Sequence, residues 1–438
     1  MTTDALRRRA PALVCLLPGL ALLALVAGSL AETSLDEGLR ALVAAAPSQP
    51  EALVRHFSWW PRLAMALMAG GGLALAGVLM QQVLRNPLAA PTTLGVASGA
   101  NLALMAATLL APGLLLAGRE WVALAGGAGA MGLVFALTWR RGLSPAVVVL
   151  AGLVVNLYAG ALGMVLLLFH QETLKGLLIW GAGSLAQNGW GDVAYLAPRL
   201  LLGGLGAWLL LRPLAVLDLD DASAKSLGVS LKHLRLAGLG LAVFLTACVV
   251  SAVGVIGFIG LAAPNIVRLA GARRLGPRLI WSTLLGALLL ATTDQLLQRV
   301  AGTLPTLIPT GAATAALGAP LLLWLIPRLR LAAGRPPDGA ALAPRHPAPG
   351  RLAAGLALML LVALLLALVV GQTTGGSVVT LESDVLTWRW PRLLGAAASG
   401  VMLAIAGTLI QRLTANPMAS PEVLGISGGS AIALMAAI

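Results

Sequence analysis

Long apolar runs, separated by short polar clusters, occupy this chain from end to end. Runs of 18 or more apolar residues recur, and a helix of about 20 such residues crosses a bilayer core. The pattern predicts helical spans near 11–30, 62–83, 94–111, 121–139, 145–168, 193–211, 234–252, 254–271, 279–298, 309–327, 352–370 and 393–411, with a further start after Leu424. Lipid offers no partner for backbone polar groups, so only helices and closed barrels cross it. These runs are too long and continuous for barrel strands. The expected fold class is an all-α polytopic membrane protein.

The pattern also repeats. At an offset of 330 residues, the stretch Trp60–Thr108 aligns without a gap on Trp390–Ile438, with 24 identities in 49 pairs. Chance explains matched Ala and Leu in such sequence. It does not explain Gln81/Gln411, Asn86-Pro87/Asn416-Pro417 and Pro91/Pro421 in one register. The unit holds about ten spans, an even count, so both copies enter the membrane from the same side. The expected organisation is a ten-span first half (1–330), a Pro-, Gly- and Ala-rich linker (331–351), and the start of a parallel-repeated second half (352–438) of about three spans. A complete second half would bring the length to about twice the repeat unit. The expectation is that the chain is a fragment, ending inside a span and unable to transport alone.

Charge fixes an orientation. The net charge of +13 could suggest nucleic acid, but 20 of the 29 Lys and Arg fall on one side of the predicted spans if the N-terminus is cytoplasmic. That is the positive-inside bias of an inner-membrane protein, so nucleic acid is not an expected partner and membrane lipid is. Arg7–Arg9 followed by an apolar run and Ala27-Gly28-Ser29 reads as a retained first span, with a cleaved secretory signal as the alternative. Cys15 and Cys248 lie in predicted spans and read as buried hydrophobes. The four histidines lack ligand spacing, so no metal site is expected.

Four polar features stand out. The segment Arg212–Arg235 (RPLAVLDLDDASAKSLGVSLKHLR) reads as a helix–turn–helix at the cytoplasmic face, with Gly228 supplying the reversal. A solvated loop is the bland reading, but its mixed charge suits a protein partner. Arg62, its repeat Arg392, and Arg389 sit at the outer mouth among Trp59, Trp60, Trp388 and Trp390. They read as interfacial anchors, as basic docking points for an acidic partner, or as both. Gly254–Gly260 and Ala263-Pro264-Asn265 interrupt a span, as in broken helices that line transport paths, although small residues also serve plain helix packing. Asp294, near an outer helix end, reads as an end cap or an ion pair with Arg299, with a proton relay as the alternative. None of the three lysines (Lys175, Lys225, Lys232) follows a glycine, so the chain has no Gly-Lys-Ser/Thr phosphate loop and is not expected to hydrolyse ATP.

NPLAAPTTLGVASGA, WGAGSL with Trp190, LDDASAKSLGVSLKHLRL, GVIGFIGLAAPNIVRL and PTGAATAALGAPLLLWLI resemble successive signatures of the FecCD/BtuC-type permeases. These are membrane subunits of type II ABC importers for iron siderophores, haem and vitamin B12. The match covers the first half in order and the start of the second, and the two-half layout resembles the fused ferric-hydroxamate members of that family. The resemblance implies that Ala222, Ser223, Ala224, Lys225, Leu227, Gly228, Lys232 and Arg235 couple to an ATP-binding subunit, present in two copies. It implies that Arg62, Arg389 and Arg392 dock a periplasmic or lipoprotein substrate-binding protein, with Arg299 near a third such arginine. Leu143 and Ser144 match the cytoplasmic gate region, while Gly257, Gly260 and Pro264 belong to the path-side signature. Asn265 replaces a histidine common after that proline and receives no role. The implied function is import of an iron(III)–siderophore, most simply a hydroxamate, with haem, vitamin B12 or another chelate as alternatives. The path would run between the halves, with no cofactor on this chain and ATP on the partner. A proton-coupled transporter using Asp294 and a structural scaffold are the rival classes.

Overall fold

The computed structural model describes residues 2–31, 35–43, 49–219, 221–226, 228–301, 309–325, 328, 347–373, 376–379, 383–414 and 433. The span expected after Leu424, and Asn416-Pro417 with it, lies outside them. The chain forms two compact units, Met1–Ala333 and Gly334–Ile438.

In the first unit, α1 (Thr2–Ala31) is followed by a short amphipathic α2 (Leu35–Val43) and α3 (Pro50–Val54). A π turn, Arg55–Trp59, joins α3 to α4 (Trp60–Leu84) without a break. Then come α5 (Val96–Leu110), α6 (Arg119–Thr138), α7 (Pro145–Phe169), α8 (Gln171–Gly181) and α9 (Gly191–Leu209). Short α10 (Leu211–Ala215) and α11 (Asp221–Ser226) lead into α12 (Leu231–Val253), α13 (Ile259–Leu269), α14 (Leu275–Ala301) and α15 (Thr310–Leu325). Among the described residues of both units, eight helices are long and apolar enough to cross a membrane, or nine if the bent pair Gly191–Leu209 and Leu211–Asp218 is one span.

Helix α4 is apolar on all sides and sits at the centre of this unit, touching α14, α12, α13 and α9. A helix hydrophobic all round belongs in a core rather than at a surface. Its glycines let other backbones approach. A Cβ on Gly77 would overlap the Gly260 carbonyl of α13, and one on Gly70 would overlap the Gly286 carbonyl of α14. The helix stops at Arg85, which turns left-handed (φ 48°) just ahead of Asn86-Pro87. The outer helices instead expose large apolar side chains, among them Tyr158, Phe169, Leu201 and Trp208. Such a surface suits lipid.

The expected span 254–271 is not one helix. Gly254 (φ 74°) and Phe258 (φ 73°) adopt left-handed backbone, and α13 has only 11 residues. That is about 16 Å, roughly half a bilayer core. The gap is filled by the Trp180–Leu185 stretch, where Ser184 N–H donates to the Val253 carbonyl at 2.9 Å and Gly311 N–H to the Gly183 carbonyl at 3.0 Å. Broken backbone thus finds its partners in protein, as it must away from water.

The second unit holds α16 (Pro349–Val369), an antiparallel hairpin of β1 (Val370–Thr373) and β2 (Gly376–Val379), and α17 (Ser383–Thr414). The hairpin was not foreseen in an all-helical reading. Both helices are apolar and long enough to span.

Candidate functional site

The polar segment after α9 is tied to the core helix by side chains from three directions. Gln82, on the last turn of α4, donates to the Leu214 carbonyl at 3.1 Å and to Asp218 at 2.8 Å. Arg278 of α14 donates in turn to the Gln82 side-chain amide oxygen, Oε1. Arg85 donates to the Leu217 carbonyl at 2.9 Å and lies 3.0 Å from Asp221. Arg235 of α12, with 6% of its side chain exposed, donates to both Asp221 oxygens at 3.0 and 2.7 Å. Charge-assisted bonds in a partly buried setting hold α11 at a defined place relative to α4, α12 and α14.

Within this frame the residues expected to couple separate by burial. Ala222, Ser223, Ala224 and Lys225 lie on α11. Ala224 is fully buried in the cluster that contains Leu214, Leu217 and Leu231, while Ser223 is exposed. The side chains of Ala222 and Lys225, and all of Leu227, lie outside the described residues. Gly228 has φ 76° with open space around it, so the reversal falls where a Cβ would be strained. The second arm is not a separate short helix: it is the first turn of α12, which runs unbroken from Leu231 to Val253.

Of the two residues expected at the gate, Leu143 joins the same cluster. Leu143 is fully buried beside it with φ 53°, and the Ser144 carbonyl accepts from Val148 N–H at 3.0 Å as α7 begins. Lys232 places its ammonium 3.5 Å from the centroid of the Trp139 ring, a cation–π contact between the α12 end of the polar segment and the loop before α7. The structure therefore brings Leu143, Ala224 and Lys232 to one end of the unit.

Of the residues expected on the path, Gly260 packs against the Leu73 carbonyl and Pro91, and Pro264 is buried on α13. Gly257 is half-buried, and among the described residues beyond its chain neighbours none lies within 4 Å of where a Cβ would sit. Asn265, which received no role, is fully buried and donates to the Pro87 carbonyl at 2.7 Å and the Leu261 carbonyl at 2.8 Å. Asn86 closes the same turn by accepting from Leu88 N–H at 2.9 Å. An amide thus clamps the Asn86-Pro87 turn to α13. The only sequence signal for it was a polar residue inside an apolar run.

At the opposite end of α4, Arg62 makes a two-pronged pair with Asp294, both bonds 2.8 Å. Asp294 is fully buried and also accepts from Gln298 at 2.8 Å and from Thr310 at 2.8 Å. This corrects the expected pair with Arg299, whose guanidinium instead donates to the Leu25 carbonyl at 2.8 Å. Residue 299 lies more than a turn beyond 294 along the helix, while Arg62 faces Asp294 across the α4–α14 contact. Arg62 keeps 21% of its side chain exposed, and Arg299 is exposed. In the second unit, Arg389 donates to the Leu368 and Val369 carbonyls at 2.7 and 3.0 Å, and Arg392 is exposed.

Comparison with known proteins decides the family. The profile of the FecCD transport family matches residues 16–328 and 356–438, on either side of the linker. The chain belongs to the FecCD transport family. It is 46% identical over 95% of its length to the iron(3+)-hydroxamate import system permease protein FhuB of Escherichia coli K12, and 47% identical over 88% to that of Salmonella typhimurium LT2. It spans 64% and 56% of those two relatives. Among solved structures, an inward-facing ABC transporter of the metal-chelate type matches with TM-score 0.59 and 28% identity, over 73% of this chain and all of that one. The polytopic helical permease fold expected for this FecCD member is the fold it has, with the β1–β2 hairpin added.

Proposed function

We propose that this FecCD chain is membrane-spanning machinery of an ATP-driven importer for iron(III)–hydroxamate chelates. The observation that carries this reading is 46% identity across 95% of the chain to a permease named for that import. ATP hydrolysis resides on a partner, an ATP-binding subunit in two copies, which bears on α11 and the turn at Gly228. The anchoring of that segment by Gln82, Arg85, Arg235 and Arg278 supports it, because a force delivered there reaches α4, α12 and α14 directly. A substrate-binding protein docks on Arg62 and Arg299, at the end of α4 away from α11, and in the second unit on Arg389 and Arg392. The N-terminus is cytoplasmic, following the Lys/Arg bias. The protein is a transport component rather than an enzyme.

The environment of Asp294 weighs against a proton-coupled carrier. A relay group must exchange its proton, and this carboxylate is held by an arginine fork and two further donors. Ser223 offers a direct test, since it is exposed while Cys15 and Cys248 are buried. In Ser223→Cys, a thiol cross-linker is expected to capture the ATP-binding subunit, with a yield that changes on nucleotide addition. A reachable thiol that captures no such subunit, in protein that still imports chelate, sinks the proposal.

A further inference from the structure

Helices α4, α9 and α14 leave an apolar groove of about 560 Å³ along their shared side. Leu75, Leu200, Gly204, Trp208, Gly276 and Ile280 are among its walls. Trp208 and Ile280 are 69% and 68% exposed, so the groove opens away from the bundle, toward whatever surrounds it. Along α14 its lining runs from Gly276 to Ala287. At about 1.5 Å per residue that is roughly 16 Å. The hydrocarbon core is about 30 Å thick, so the groove is one leaflet deep.

One end of the groove is basic. There Leu211 meets Gly276, whose Cβ position lies 3.5 Å from a Leu211 methyl. Arg212 follows Leu211 directly, and Arg273 and Arg274 precede α14. All three are exposed and make no ion pair among the described residues. Their neighbour Arg278 behaves differently: it is buried and bound to Gln82. Three permanent cations therefore sit at the headgroup level of an apolar channel one leaflet long.

We propose that this groove binds an anionic phospholipid, with one acyl chain along α14 and the headgroup phosphate on Arg212, Arg273 and Arg274. Chain and headgroup are matched together, which neither a free phosphate nor a neutral lipid achieves. Basic pockets between spans recognise such headgroups by charge.

Native mass spectrometry of the purified chain, with phosphatidylglycerol or phosphatidylcholine added to the micelles, tests the proposal. Phosphatidylglycerol is expected to stay bound and raise the unfolding midpoint, and phosphatidylcholine to do neither. The triple variant Arg212→Gln/Arg273→Gln/Arg274→Gln should retain phosphatidylglycerol about a hundredfold more weakly, with its midpoint in phosphatidylcholine unchanged. Gly204→Leu fills the groove where no atom lies within 4 Å of the new Cβ, and should abolish retention with the arginines intact. If Gly204→Leu does not fold, the triple variant decides alone. Equal retention of the two lipids, or unchanged retention in the triple variant, overturns the proposal. So does a Gly204→Cys cross-link to protein that excludes lipid.

Discussion

Helices α4 and α17 carry one phrase in two settings. Trp-Pro-Arg-Leu opens the phrase in both, and Gly70 and Gly77 recur as Gly400 and Gly407. Yet 83% of the apolar stretch within Pro50–Leu84 is buried, against none of that within Val385–Leu413. Gly70 lies against the Gly286 backbone, whereas Gly400 has no atom within 4 Å of its Cβ position. Arg62 is locked onto Asp294, whereas Arg392 is exposed. Small residues permit close approach; they do not supply the partner. Among the described residues α13 and α14 make α4 a core helix, while the same letters in α17 stay exposed.

The contrast can be broken at its arginines first. Arg62→Ala strands a fully buried Asp294 carboxylate and should cost about 3–5 kcal/mol. Arg392→Ala should stay within about 0.5 kcal/mol. Denaturant unfolding in detergent checks both, and equal losses would erase the distinction. Next come the glycines. Gly70→Leu forces α4 from α14, an overpacking of about 1–3 kcal/mol or more. Gly400→Leu should leave the unfolding midpoint where it is. Asn265→Ala removes two hydrogen bonds and orphans the Pro87 carbonyl, which should cost about 1–3 kcal/mol. Amide exchange should rise at Leu88 and Ala89 in that turn first, and exchange that rises uniformly would deny the clamp. In the first unit the smallest loss expected is that of Gly228→Ala. Its surroundings are open, so only the left-handed backbone is penalised, by about 1–2 kcal/mol. Loss of coupling to the ATP-binding subunit should exceed loss of stability there.

Much of the fold was legible from local pattern. The ends of α7, α12 and α16 fall within a few residues of the expected spans, because hydropathy and Pro145 or Pro349 mark them. Gly228 was legible because a glycine between two helical stretches has one common use. The break at Gly254–Phe258 was half legible: its glycines were visible, but the run is apolar enough to pass as a span. Short α2 and α8 were missed, being too short for a span. The site's joints were not legible. Arg62 and Asp294 are 232 residues apart, Gln82 and Arg278 are 196 apart, and Asn265 and Pro87 are 178 apart. No spacing rule in one sequence pairs residues across different helices. Asp294 shows the consequence, since the nearest arginine in sequence was the wrong partner.

The proposed ATP-driven import is the central claim to test. The direct measurement is uptake of radio-iron hydroxamate into vesicles. They would hold the protein expressed from its own gene, its ATP-binding subunit and its binding protein. Accumulation should need ATP, stop without the ATP-binding subunit, and fail in Arg235→Ala protein that still folds. Accumulation driven by a proton gradient with no ATP-binding subunit present would contradict it.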